Sequence, residues 1–216
     1  MSDKVHEGMN ETESNRRPIQ ARSTSWALKL ASRLAVSHVT PNQISVASVG
    51  FALMGAALLL LYPNAWGLLG CALAVQLRLL CNLLDGMVAI EGGKQSATGQ
   101  LYNEFPDRVA DSVLIVALGY ACHIPMLGWF GALAAALTAY VRVFGGSLGL
   151  AQDFRGPMAK QHRMAVMTAG CGLAAIEHII HGSVYTLTVA SAVIALGSGV
   201  TCVTRTHAIA KLLKSS

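Results

Sequence analysis

The chain has 216 residues and a formal net charge of +5, with 53% hydrophobic and only 12% charged residues. That composition excludes a disordered chain, argues against a water-soluble domain, and leaves room for several membrane spans but no large soluble unit. A cleaved secretory leader does not fit, because the first strongly apolar run begins only near Ile44.

In chain order, residues 1–21 are polar and read as a loose N-terminus, with residues 22–216 forming a single membrane domain. Between Arg22 and Ser37, Trp26, Leu30 and Leu34 recur every four residues while Arg22, Lys29 and Arg33 fall elsewhere. This is the pattern of an amphipathic interfacial helix, 22–37, lying on the cytoplasmic leaflet. In "TPNQIS" Thr40 can cap a helix and Pro41 suits its first turn. Six spans are then expected within 44–204: Ile44–Tyr62, Trp66–Ala89, Ser112–His123, Leu127–Leu148, Ala165–Ile180 and Val184–Val203. The third reaches the roughly 20 residues that cross about 30 Å of hydrocarbon only if it starts near Gly99. The expected fold class is therefore all-α integral membrane. Glycines in "EGGKQSATG" break the second span from the third, and "GLAQDFRGPMAKQHR" separates the fourth from the fifth. Cys71, Cys81, Cys122, Cys171 and Cys202 lie singly without metal spacing and read as small apolar fillers.

Basic residues set the orientation. Lys and Arg gather before the first span, at Lys94, at Arg155, Lys160 and Arg163, and after the sixth span at Arg205, Lys211 and Lys214. The three opposite loops contain neither, so both termini are expected in the cytoplasm. The basic excess thus reads as topology and attraction to anionic membrane lipids, with no nucleic acid as partner.

The informative stretch is "NLLDGMVAIEGGKQSATGQLYNEFPDRVAD", Asn82 to Asp111. At 100° per residue, Arg78, Asn82, Asp85 and Ala89 fall on one stripe of the second span, and Asn103, Glu104, Asp107 and Asp111 share one face of the third. Ionised carboxylates in hydrocarbon cost several kcal/mol each unless cations or water meet them. Hard divalent ions such as Mg²⁺ or Mn²⁺ suit such oxygen ligands, and four carboxylates match the charge of two. The competing reading is an internal ion-pair network of Arg78, Arg108 and Arg142 with Asp111, Asp107 and Glu104 that only holds helices together.

The spacing resembles the signature of the CDP-alcohol phosphatidyltransferases, D-x2-D-G-x2-A-R-x8-G-x3-D-x3-D. Here it runs Asn82, Asp85, Gly86, Ala89, Ile90, Gly99, Asn103, Asp107, with every gap preserved. Asn replaces the first and third Asp, and Ile90 replaces Arg. Glu104 and Asp111 are candidates to restore the missing charge, and Pro106 to kink the helix. The resemblance implies transfer of a phosphatidyl or phospho-alcohol group from a CDP-linked donor, such as CDP-diacylglycerol, to an alcohol acceptor with release of CMP. It implies one or two Mg²⁺ or Mn²⁺ ions held among Asn82, Asp85, Asn103, Glu104, Asp107 and Asp111. Asp107 is then the general base, with Asp111 in reserve. Asn42, Gly86, Ala89 and Gly99 border the nucleotide, and Arg142, Lys160, His162 and Arg163 receive the acceptor or its phosphate. The family commonly pairs as homodimers, and the compact chain suits a bacterial inner membrane with its active site on the cytoplasmic side. Two other readings stand beside this one: a family-derived lipid- or nucleotide-binding protein that has lost catalysis, and a small membrane transporter.

Overall fold

The computed structural model describes residues 24–215, so the expected polar N-terminus lies outside the described residues. Seven helices follow one another: α1 Ser25–Val36, α2 Pro41–Leu61, α3 Ala65–Glu91, α4 Gly99–Ala121, α5 Pro125–Ser147, α6 Lys160–His181 and α7 Tyr185–Ser215. All but α1 and α4 are long and apolar enough to cross a membrane by length and composition. α4 has the length and lacks the hydropathy, because Glu104, Asp107, Arg108 and Asp111 lie between its second turn and its middle.

Local signals explain several ends. Thr40 caps α2, its side chain accepting from Gln43 N–H while Gln43 Oε1 accepts from Thr40 N–H, with Pro41 as the first helical residue. Asn64 Oδ1 caps α3 by accepting from Gly67 N–H at 3.0 Å. At the same end of the bundle as Asn64, Gly182, at φ 68°, closes α6 in the left-handed region. The Glu177 carboxylate then reaches over to the start of α7, accepting from the N–H groups of Tyr185 and Thr186 at 2.7 and 2.8 Å. Those amides have no partner inside their own helix.

α2 packs on α3 and α4, α4 on α5, α5 on α7, α7 on α6 and α6 back on α3. The helices thus close a ring. Ala52, Cys71, Leu114, Ile115, Met167, Cys171 and Ile194 fill its apolar interior. The three buried cysteines Cys71, Cys122 and Cys171 behave as the small fillers expected of them. Small residues allow the close approaches: a Cβ on Gly119 would lie 2.5 Å from Gly128 Cα, so α4 and α5 touch backbone to backbone there.

α1 docks on α3 through a second apolar cluster, in which Ala27 and Ala31 are wholly buried against Leu83, Leu84, Met87 and Val88. The expected stripe is rotated. Leu30 and Leu34 flank the contact, but Trp26 stays 53% exposed. The reason is steric, because two alanines let the α1 backbone sit close to α3 where Trp26 could not. Lys94 ties the same corner by donating to Ser37 O at 2.5 Å and Val39 O at 3.0 Å.

Two boundaries differ from expectation. α6 starts at Lys160, not near Ala165, and α7 runs on to Ser215 instead of ending near Val203. Gly119→Val is expected to lower stability by about 1–3 kcal/mol through overpacking, whereas Gly50→Ala, where an added Cβ meets nothing within 4 Å, should stay close to wild type. Thermal unfolding in detergent micelles compares the two.

Candidate active site

α3, α4 and α6 are not among the closely packed helix pairs with one another except for α3 with α6. Long side chains bridge the interior between them. From α3, Arg78 is fully buried and its Nη2 donates to Asp111 Oδ1 at 2.6 Å and to Asp107 Oδ1 at 3.4 Å. From α6, the Arg163 Nη2 donates to Asp111 Oδ2 at 2.9 Å and its Nη1 to Met158 O at 2.8 Å. Both Asp111 oxygens are therefore held by buried guanidinium groups. An arginine is the usual answer to a buried carboxylate, since its charge and several donors offset the lost water.

One turn before Asp111, Asp107 meets a different set. Its Oδ1 accepts from Asn82 Nδ2 at 2.7 Å, and its Oδ2 is joined by Lys160 Nζ, with Arg108 Nη2 at 3.7 Å. Asp85 lies on the same α3 stripe as Asn82 and is also buried. Its Oδ2 accepts from Ser45 Oγ of α2 at 2.6 Å, and its Oδ1 from the Gly86 N–H at 2.6 Å. Asp85, Asp107 and Lys160 lie within electrostatic reach of one another. Nearer the helix start, Glu104 Oε1 accepts from Arg142 Nη2 at 2.6 Å, and Arg142 also bonds Gln152 and stacks its guanidinium over Phe154.

The ion-pair network named as the competing reading is thus present, with Arg142 on Glu104, Arg108 beside Asp107 and Arg78 on Asp111. Several sequence expectations change accordingly. Asp111 has each oxygen on a buried arginine, the arrangement of a carboxylate that holds helices together. Glu104 is taken by Arg142, and Asn103 is exposed. Arg163 is buried on Asp111 and Met158, which leaves it no donor fork for an acceptor phosphate. His162 is exposed and its Nδ1 donates to Pro157 O at 2.9 Å. Asn42 lines a cleft of about 420 Å³ with Thr40, His38 and Lys94, and no carboxylate of the cluster lines it. Gly99 sits at the start of α4, and Ala89 is half-buried on α3. Pro106 is accommodated inside a continuous α4.

No group of three or more Asp, Glu, His or Cys suited to a metal ion forms among the described residues. The cluster's unmet hydrogen-bonding capacity also lies with donors, since Arg78 Nε and Arg163 Nε are buried without partners. The residues therefore do not fit the four-carboxylate, two-ion arrangement. A single hard divalent ion would have Asp107 and Asp85, whose own partners are neutral, as its carboxylate ligands.

Sequence reasoning overlooked three contributors. Ser45 holds Asp85, and nothing about a single serine near a helix start marks it. Arg205 had been read as a cytoplasmic topology charge. It is in fact buried in α7, its Nε donating to Arg155 O at 2.9 Å and its Nη1 to Thr138 O at 2.8 Å. Thr201 Oγ1 accepts from Met158 N–H at 2.8 Å. Beside it Gly156 adopts φ 114°, where a Cβ would come within 2.4 Å of Thr201 Cγ2. Together they strap the α5–α6 loop to α7 and thereby position Lys160 and Arg163.

No family model matches the chain. The chain is 29% identical over 197 residues to the phosphatidylinositol phosphate synthase of Cutibacterium acnes, a match covering 86% of this chain and 93% of that protein. It is 26% identical over 133 residues to the Escherichia coli inner membrane protein YnbA, covering 60% of this chain and 65% of that protein. Among solved structures, Mycobacterium tuberculosis phosphatidylinositol phosphate synthase with CDP-DAG bound superposes with a TM-score of 0.71 at 23% identity, over 85% of this chain and 92% of that one. The same enzyme in complex with manganese and citrate gives 0.71 over 85% and 88%. The chain has the fold of these synthases. With its apolar helices and an inner membrane relative, it is an integral membrane protein.

Because Asp111 depends on two buried arginines, Arg163→Met should destabilise the protein by about 3–5 kcal/mol, as breaking a buried pair leaves a charge uncompensated. Arg142→Met, whose partner Glu104 reaches solvent, should cost distinctly less. Denaturation midpoints of the two variants test this ordering.

Proposed function

We propose that the protein is a membrane phosphotransferase of the CDP-alcohol phosphatidyltransferase family, active in phospholipid biosynthesis. It moves a phosphatidyl or phospho-alcohol group from a CDP-linked donor to an alcohol and releases CMP. The observation that carries this reading is that Asp85 of α3 and Asp107 of α4 lie within electrostatic reach of each other, in a fold shared with a synthase solved with CDP-DAG bound. The signature spacing, in which Asp85 and Asp107 are two of the acidic positions, supports the same reading.

In this reading an acceptor hydroxyl oxygen attacks the β-phosphorus of the donor, the bond from that phosphorus to the CMP oxygen breaks, and the hydroxyl proton passes to Asp107. Asp107 is assigned as the base because it is the last acid of the signature and its side chain is the more accessible of the two, 11% exposed against 3% for Asp111. Ser45 keeps Asp85 aimed from α2. Asp85 and Asp107 would hold the Mg²⁺ or Mn²⁺, which would neutralise the diphosphate. The basic residues near this end of the bundle support six spans, including α4, with both termini and the site on the cytoplasmic side. α1 then lies at that surface among lipid headgroups.

The second reading, a binding protein without turnover, is favoured by a specific observation: Asn82 donates a hydrogen bond to Asp107 instead of adding a negative ligand. The two readings separate in one assay. Purified protein with CDP-diacylglycerol and a panel of alcohols should release CMP only with Mg²⁺ or Mn²⁺, and Asp107→Ala should reduce the rate by about 10²–10⁴-fold. CDP-diacylglycerol binding with no CMP under any acceptor would instead establish the binding protein. Solute flux in liposomes without CMP would point to transport.

A further inference from the structure

The cation that faces Asp107 in this chain is part of the chain. Lys160 Nζ meets Asp107 Oδ2, while Asn82 Nδ2 and Arg78 Nη2 meet Oδ1 at 2.7 and 3.4 Å. The lysine is the first residue of α6, so its backbone is fixed, because Arg163 on the same turn is bonded to Met158 O and Asp111. Five cations (Arg78, Arg108, Arg142, Lys160, Arg163) pair with three acids (Glu104, Asp107, Asp111), so those three carboxylates are compensated before any ion enters, and only Asp85 has no cationic partner in contact. Two of the four positions at which the signature carries Asp are Asn here, and neither Glu104 nor Asp111 is free to replace them.

We propose that Lys160 is a built-in cation of the site: its ammonium occupies Asp107, competes with a divalent ion for that carboxylate, and limits the chain to one such ion. This rests on the phosphotransferase reading only in taking Asp85 and Asp107 as the ion's anionic ligands. The physical basis is direct. An ammonium in contact with a carboxylate must be displaced or accommodated before a dication can use the same oxygen, and like charges a few ångströms apart in a partly dehydrated site repel strongly.

The experiment is a Mn²⁺ titration of the full chain in detergent micelles, with free Mn²⁺ read by electron paramagnetic resonance and no substrate present. Wild type should take up no more than one Mn²⁺ per chain. Lys160→Gln, which keeps a hydrogen-bond donor for Asp107, and Lys160→Met should each bind Mn²⁺ about tenfold or more tightly than wild type. Lys160→Arg, which keeps the charge, should match wild type, and Asp107→Asn added to Lys160→Gln should cancel the gain. Two ions on wild type, equal affinity in wild type and the Gln and Met variants, tightening in Lys160→Arg, or no Mn²⁺ uptake by any of the proteins would each overturn the proposal. If these Mn²⁺ results hold while CMP release fails, the phosphotransferase reading falls and the role of Lys160 stands.

Discussion

Asp111 between Arg78 and Arg163 is the constraint around which the polar end of this bundle is organised. A carboxylate with both oxygens buried in a low-dielectric interior survives only if its lost hydration is replaced, and two guanidinium groups replace it from opposite sides. Such a triad adds little net stability over well-packed apolar residues. It does penalise every arrangement in which the three helices slide or rotate, because each would leave a buried charge alone. That makes it a device for register. With α3, α4 and α6 fixed at this level, Asp107 falls one turn away on the same α4 face, Asn82 one turn from Arg78, and Lys160 one turn before Arg163.

The strap at the α5–α6 loop extends the same logic. Met158 lies between two restraints, its N–H on Thr201 and its carbonyl on Arg163. Arg205 secures the loop three residues earlier through Arg155 O. The close approach of Gly156 to Thr201 explains why the loop can press against α7 at all. A connection that would otherwise move freely thus delivers Lys160 to Asp107 at a defined height.

Much of this was legible in the sequence, and what was hidden has physical reasons. The apolar runs located the long helices, and the Thr40 and Pro41 signals located the start of α2, because hydrophobic length and capping chemistry are local properties. The facing stripes of α3 and α4 were legible because helical periodicity alone puts Asn82 and Asp85, and Asp107 and Asp111, on single faces. The partner of each acid was not legible. Arg163 and Lys160 come from 50 or so residues downstream, and both carry the same charge signal as a topology residue. Arg205 was hidden most thoroughly, since a hydropathy pattern ends at Val203 while backbone carbonyls of Thr138 and Arg155 provide for its burial. The rotated face of α1 was missed because periodicity weighs Trp26 above Ala27, whereas close packing favours the alanine.

The Asn at position 82 makes sense within this arrangement. Its Nδ2 lies 2.7 Å from Asp107 Oδ1. An aspartate there would bring a second anionic oxygen to hydrogen-bonding distance of the first, an arrangement that is stable only with a proton or a cation between them. An amide removes that requirement and supplies a donor, and Lys160 supplies the positive charge on the other oxygen. The amide at position 82 and the lysine at Asp107 thus act on the same carboxylate, one as a neutral donor on Oδ1 and the other as a cation on Oδ2. Asp85 is the exception. Its partners are a hydroxyl and a backbone amide, both neutral, so it is the carboxylate at which an added cation gains most.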